Sequence, residues 1–297
     1  MKLKRFIAFC FIIMAIVCCN VNVYAAKNGW VKSNKQYYYY ENGTKVTGLK
    51  VIKGYTYYFS KQTGKRMTGW RTVDGNRYYF NEKGVAVSGW KTISKKKYYF
   101  NPETCIMMTG LQVIDNHTYY FEPETGVRAT GFKEIDGNKY YFDESTGVRA
   151  CGWKTINKKK YYFNPETCIM VTGLQTIDEH TYYFNPETGV RATGIQTIEG
   201  DKYYFDANTG VRACGWKTIK GKKYYFDPET CIMCTGFQVI NNHTYYFNPK
   251  NGERVYGWKT INGKKYYFNP KTGIMATGKR TINGKKYTFN QNGELVK

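Results

Sequence analysis

Proline, histidine and acidic residues are scarce in this chain of 297 residues, which has 7 Pro, 3 His and 22 Asp plus Glu against 45 Lys plus Arg. Only one long apolar run is present, at the very start, which excludes a polytopic membrane protein. Glycine is about a tenth of the residues and shows no three-residue period, so a collagen-like chain is excluded as well. The aromatic content of 18% is too high for a disordered tail. What remains is an excess of Tyr and Gly, 30 of each, which points to many short strands joined by many turns.

The apolar run has the grammar of a secretory signal. Lys2, Lys4 and Arg5 precede fourteen apolar residues from Phe6 to Cys19, and Val23-Tyr24-Ala25 forms a small-x-small exit. The run is short for a retained anchor. Residues 1–25 are therefore expected to be cleaved, leaving an exported array over 26–297 with no transmembrane segment. The mature part keeps 42 basic against 22 acidic residues, a net of +20.

That mature part is one repeat from end to end. A Gly followed by a mostly apolar marker recurs at Trp30, Leu49, Trp70, Trp90, Leu111, Phe132, Trp153, Leu174, Ile195, Trp216, Phe237, Trp258 and Lys279. The spacing is 19, 21 and 20, then 21 throughout. Eight residues after each marker comes an aromatic triplet, Tyr-Tyr-Phe in eleven of the thirteen units. All seven prolines lie twelve residues after a marker. In the twelfth unit, Trp258-Lys-Thr-Ile reads as a strand and Asn262-Gly263 as a type I′ turn, since both positions favour positive φ. Lys264 to Phe268 reads as the return strand, and Asn269-Pro270-Lys271-Thr272-Gly273 as the connecting turn. A lone hairpin is marginal in water. Stacked hairpins bury their aromatics against neighbours, so the expectation is an all-β solenoid of about thirteen hairpins.

A second period of 63 residues lies above the first. Trp90, Trp153 and Trp216 share one context, His117, His180 and His243 another, and Cys105, Cys168 and Cys231 a third. Duplication in blocks of three would produce this, and so would three hairpins per superhelical turn. The latter would line up Trp30, Trp90, Trp153 and Trp216 along one edge.

The unit from Gly257-Trp258 to Thr277-Gly278 resembles the cell-wall-binding, or choline-binding, repeat. The same superfamily includes glucan-binding repeats and the short C-terminal repeats of clostridial toxins. The resemblance covers the whole mature chain and implies roughly three hairpins per turn. It also implies aromatic cages between successive hairpins, in which a quaternary ammonium is held by cation–π attraction. Trp30, Trp70, Trp90, Trp153, Trp216 and Trp258 match the first wall of such a cage, and Met107, Met170, Met233 and Met275 match a lining Met. The aromatic before the triplet survives only as Tyr37; elsewhere it is Lys, Arg or Thr, such as Lys97, Lys160 and Lys265. A Lys there removes a π face and adds a like charge, so the junction near Trp30 and Tyr37 is the best candidate for choline. The Lys-Tyr-Tyr-Phe version resembles glucan-binding repeats more, where sugar rings stack on exposed aromatics.

Packing of the solenoid interior is the competing role of any one aromatic. The lysine-rich hairpin tips, such as Lys95-Lys96-Lys97, either discourage edge-to-edge pairing or attract anionic wall polymers. Export permits disulfides, and the matching gaps of 17 residues suggest Cys151–Cys168 and Cys214–Cys231, against the alternative of a fully reduced chain. The residue equivalent to Cys151 before Cys105 is Ser88, so Cys105 would lack a partner, as would Cys234. No histidine has a nearby nucleophile, no paired carboxylates share a cleft, and no nucleic-acid-binding motif is recognisable. The expected protein is a secreted, wall-associated, non-enzymatic binder without cofactor or metal. It would engage teichoic acid, polysaccharide, glucan or choline through weak sites multiplied along the array. A released toxin-like binder of host glycans and a spacer without ligand are the alternatives.

Overall fold

The computed structural model describes residues 27–296, so the expected signal segment lies outside the described residues. Those residues form thirteen antiparallel hairpins, two of them extended by a short third strand. This is the expected hairpin solenoid. Two compact units divide it, one ending at Gly110 and taking in Phe121–Arg128, the other comprising Leu111–Tyr120 and Ala129 onward.

Each hairpin follows one register. Gly257–Ile261 pairs with Lys264–Phe268 so that Trp258 faces Tyr267, Lys259 faces Tyr266 and Ile261 faces Lys264. Asn262 and Gly263 take φ of 48° and 78°, the type I′ geometry that matches the twist of the flanking strands. Six other turns reach the same geometry without glycine. Ser94-Lys95 at 49° and 64° and Asn157-Lys158 at 49° and 64° are two of them.

Strand alternation sends the Phe of each triplet inward. Eleven phenylalanines, from Phe59 to Phe268, are the largest fully buried side chains. Burying one such ring contributes about 1.5–3 kcal/mol, so the row is the main apolar stabilisation of both units. The first Tyr of the triplet is buried beside it in six hairpins, as with Tyr98 and Tyr161, and half-buried in the others, as with Tyr182 and Tyr245.

Successive hairpins are stitched by the segment that follows each return strand. In the first unit Met107 N donates to the Arg77 carbonyl of the preceding hairpin at 2.8 Å, while Met108 N donates to the Tyr99 carbonyl of its own. In the second unit Met170 N and Val171 N do the same with Lys139 and Tyr162. The intervening turn is held by side chains: Asn164 Oδ1 accepts from Glu166 N and Thr167 N, both at 2.9 Å. These Asx contacts satisfy amides that no strand pairs. Side chains also reach two hairpins onward, as when Lys139 Nζ donates to the Glu187 carbonyl and Lys202 Nζ to that of Lys250.

Two disulfides tie junctions in the second unit. Cys151–Cys168 and Cys214–Cys231 span Cα separations of 4.5 and 4.6 Å. Cys168 and Cys231 sit at φ of 58° and 59°, where most repeats place a glycine such as Gly126. Cys105 adopts the same left-handed backbone at 60° yet is free, as is Cys234.

Candidate functional site

The register puts the marker directly across from the middle residue of its own triplet, a Tyr except in the last hairpin, where Lys279 faces Thr288. For Trp258 that partner is Tyr267, with ring centroids 5.1 Å apart. The next hairpin then brings Tyr287 to 4.9 Å and Phe289 to 5.8 Å. The outcome is an aromatic corner at the junction, with Trp and two Tyr edges around a Phe floor. Trp30 forms the same corner with Tyr39, Tyr57 and Phe59. Trp70 does so with Tyr79, Tyr98 and Phe100, and Trp153 with Tyr162, Tyr182 and Phe184. Trp216 joins Tyr225, Tyr245 and Phe247. Trp90 meets Tyr99 and Phe121.

The corners differ in what covers them. Trp30, Trp90, Trp153 and Trp258 are 38–41% exposed. Trp70 and Trp216 are half-buried, and each carries a guanidinium on its face: Arg77 at 4.5 Å from Trp70 and Arg254 at 5.1 Å from Trp216. A ring face occupied by an internal cation cannot hold an external one, since both need the same quadrupole.

The four methionines occupy one repeat position, but the residue they meet across the junction varies. Met107 packs with Trp70 and Tyr98. Met170 packs with Tyr161, whose ring meets Phe132. Met233 packs with Tyr224, and Met275 with Tyr266, which meets Phe237. A Trp and a Met therefore share a junction only at Met107 among these four. Each Met also lies under the glycine of the next turn; a Cβ on Gly189 would stand 2.5 Å from Met170 Sδ. At the Trp258 corner the equivalent residue is Leu295, packed into the same cluster as Tyr267 and Tyr287. Tyr37 is exposed, with the Arg66 guanidinium 4.4 Å and Lys32 Nζ 5.5 Å from its ring.

Beside the Trp258 corner lies a cavity of about 450 Å³ lined by Lys279, Arg280, Thr281, Lys286, Tyr287 and Thr288. Three cations and two hydroxyl threonines make it suited to an anionic group. The histidines serve the turns, with His117, His180 and His243 each placing Nδ1 2.7–2.8 Å from the carbonyl two residues back. Burial raises the thiol pKa of both Cys105 and Cys234, so neither is an activated nucleophile.

Sequence reasoning identified the tryptophans but not the residues that cover them. Arg254 occupies the same repeat position as the methionines. Tyr256 stands where other repeats have Thr, Ser or Cys. Tyr256 was readable as a departure from the repeat, whereas Arg recurs at the position of Arg254, and which face either covers requires coordinates.

Stacked hairpins with aromatic corners at their junctions define a repeat-built binding protein. The sequence model described as the choline-binding repeat matches eight overlapping stretches, from 46–88 through 255–297. The chain belongs to the choline-binding repeat family. No curated protein matches it by sequence. Among solved structures it is similar to choline binding protein F from Streptococcus pneumoniae. They are 26% identical over 91% of this chain and 100% of that one, with a TM-score of 0.57. The same protein in the presence of a peptidoglycan analogue, a tetrasaccharide-pentapeptide, gives a TM-score of 0.56 at 26% identity and the same coverage. The modular autolysin LytC of that organism is 21% identical over 77% of this chain and 53% of that one, at 0.50, and shares the fold. Among the described residues no helix is long and apolar enough to cross a membrane, and no cluster of three metal-ligating side chains occurs.

Proposed function

We propose that the chain is a non-enzymatic docking protein of the cell surface that holds choline-bearing wall polymer at its exposed tryptophan junctions. The observation that carries this reading is the Trp258 corner. Its Trp is 38% exposed, Tyr267 and Tyr287 flank it, and the neutral Leu295 packs where Arg254 lies at the Trp216 corner. A trimethylammonium group against such rings gains about 0.5–2 kcal/mol per contact. The adjoining cavity supplies Lys279, Arg280 and Lys286 for the phosphate of a phosphocholine ester. Trp30 and Trp153 provide further exposed corners. The family and the likeness to choline binding protein F favour this ligand over glucan or host glycan. Individually weak sites give firm attachment when several engage one polymer.

The test is a pull-down of residues 26–297 on choline-containing walls, with choline and then glucan as competitor. Release by millimolar choline supports the reading. Retention in choline, with release by glucan or by salt alone, would move binding to sugar stacking or to the lysine tips.

A further inference from the structure

At the junction between the hairpins of Trp216 and Phe237 a cation of the chain itself sits among three aromatic rings. The guanidinium carbon of Arg254 lies 5.1 Å from the Trp216 ring, 5.7 Å from Tyr245 and 4.8 Å from Tyr256. Its Nε and Nη2 donate to Tyr256 Oη at 3.1 and 2.6 Å. Three aromatic rings around one cation is the arrangement that recognises an ammonium ligand. A guanidinium suits it because it is weakly hydrated and stacks on aromatic faces.

We propose that Arg254 is a built-in ligand of this cage and closes the Trp216 junction to quaternary ammonium groups. The proposal rests on reading the exposed tryptophan corners as ammonium sites. Arg191 supplies the internal contrast. It occupies the same repeat position opposite Trp153, but its guanidinium donates to the carbonyls of Asn208 and Thr209 in the next turn. Trp153 stays 39% exposed, whereas Trp216 is half-buried. The residue that separates the two cases is Tyr256, which holds the guanidinium by ring and hydroxyl; Arg191 has Thr193 in that place. Because an arginine does not lose its charge in a protein, the closure persists at every working pH.

Arg254→Met tests this, since four repeats already carry Met at that position and the variant should fold. Choline is titrated calorimetrically into the full chain, wild type and variant. The expected result is one additional choline per chain in Arg254→Met, lost again in Arg254→Met combined with Trp216→Ala. An unchanged count in the variant, with wild type binding, overturns the proposal and leaves the docking function standing. A site gained in the variant when wild type binds none upholds the closure and overturns the docking function. No binding by either overturns both. Proton NMR reads occupancy without ligand: the Arg254 Nε–H resonance should be shifted upfield by the rings and return toward ordinary values in Tyr256→Thr. An unshifted wild-type resonance would also overturn the proposal.

Discussion

At the hairpin tips, left-handed backbone falls on residues that carry a Cβ. Lys158 takes φ of 64° with Asn157 at 49° before it. An L-residue there costs roughly 1–2 kcal/mol, and glycine avoids this while losing about 0.5–1 kcal/mol of chain entropy. Lys158→Gly should therefore raise the urea midpoint by the equivalent of about 0.5–1 kcal/mol. Lys159→Gly, in the adjoining strand, should lower it. A second residue-scale effect concerns Asp143. Its carboxyl accepts from Ser145 and Thr146 and meets Lys154 Nζ at 3.2 Å. The hydrogen bond from Ser145, then that from Thr146 and the contact with Lys154, hold its pKa well below the usual carboxylate range. A depressed pKa stabilises the fold above the unfolded value of about 3.9 and loses that contribution as pH falls below it. The protection factor of the Thr146 amide should fall as pH drops below about 4 in the wild type, and Asp143→Asn should abolish that pH dependence. Retention of the acid-induced loosening in Asp143→Asn would place its origin elsewhere.

The hairpin and its following turn form the element that repeats, and its constraints are shared between neighbours. Gly189 has φ of 70°, and a Cβ on it would stand 2.5 Å from Met170 Sδ and 2.6 Å from its terminal carbon. Gly189→Ala combines backbone strain with overpacking and should cost about 2–4 kcal/mol. Gly189→Ala with Met170→Ala should recover the overpacking part, which a double-mutant cycle reads directly. The disulfides obey the same repeat logic. Ser88 precedes Cys105 by 17 residues, the separation of both observed bridges, and Cys105 already holds the φ of Cys168 and Cys231. Ser88→Cys should close a third bridge, seen as a loss of two hydrogens by mass spectrometry. A bridge of this loop length adds about 3 kcal/mol. If the introduced thiol and that of Cys105 both stay free after air oxidation, the first unit lacks the junction geometry of the second. The elements themselves were legible because Asn262-Gly263, the Tyr-Tyr-Phe triplet and the Pro turn each fix local geometry by short-range chemistry. The corner partners were only half legible. Tyr267 follows from register alone, whereas Tyr287 comes from the next hairpin, and the stacking offset that brings it beside Trp258 is not written in either hairpin. The same offset explains why Met170 packs with Tyr161, whose ring meets Phe132 rather than a Trp, although Trp and Met recur in the same units.

For the whole molecule, the proposed docking would draw its affinity from several modest corners set in a chain of strongly positive charge. The net charge of +23 comes from 45 basic and 22 acidic residues and would draw an anionic polymer to the surface from a distance, a pull that salt screens. Cation–π contact at the corners acts at short range and is less sensitive to salt. The two contributions are therefore separable. Trp258→Ala alone should reduce retention on choline-containing walls by a few-fold. Trp30→Ala, Trp153→Ala and Trp258→Ala together should reduce it by about 10²-fold or more, because multivalent attachment multiplies the loss at each site. The triple variant should keep its salt-sensitive attraction to choline-free anionic polymer. Equal loss on both surfaces would mean that the tryptophans support folding rather than docking. Retention of choline-releasable binding by the triple variant would transfer the site to corners without Trp, of which Phe132 with Tyr141 and Tyr161, and Phe237 with Tyr246 and Tyr266, are the aromatic ones.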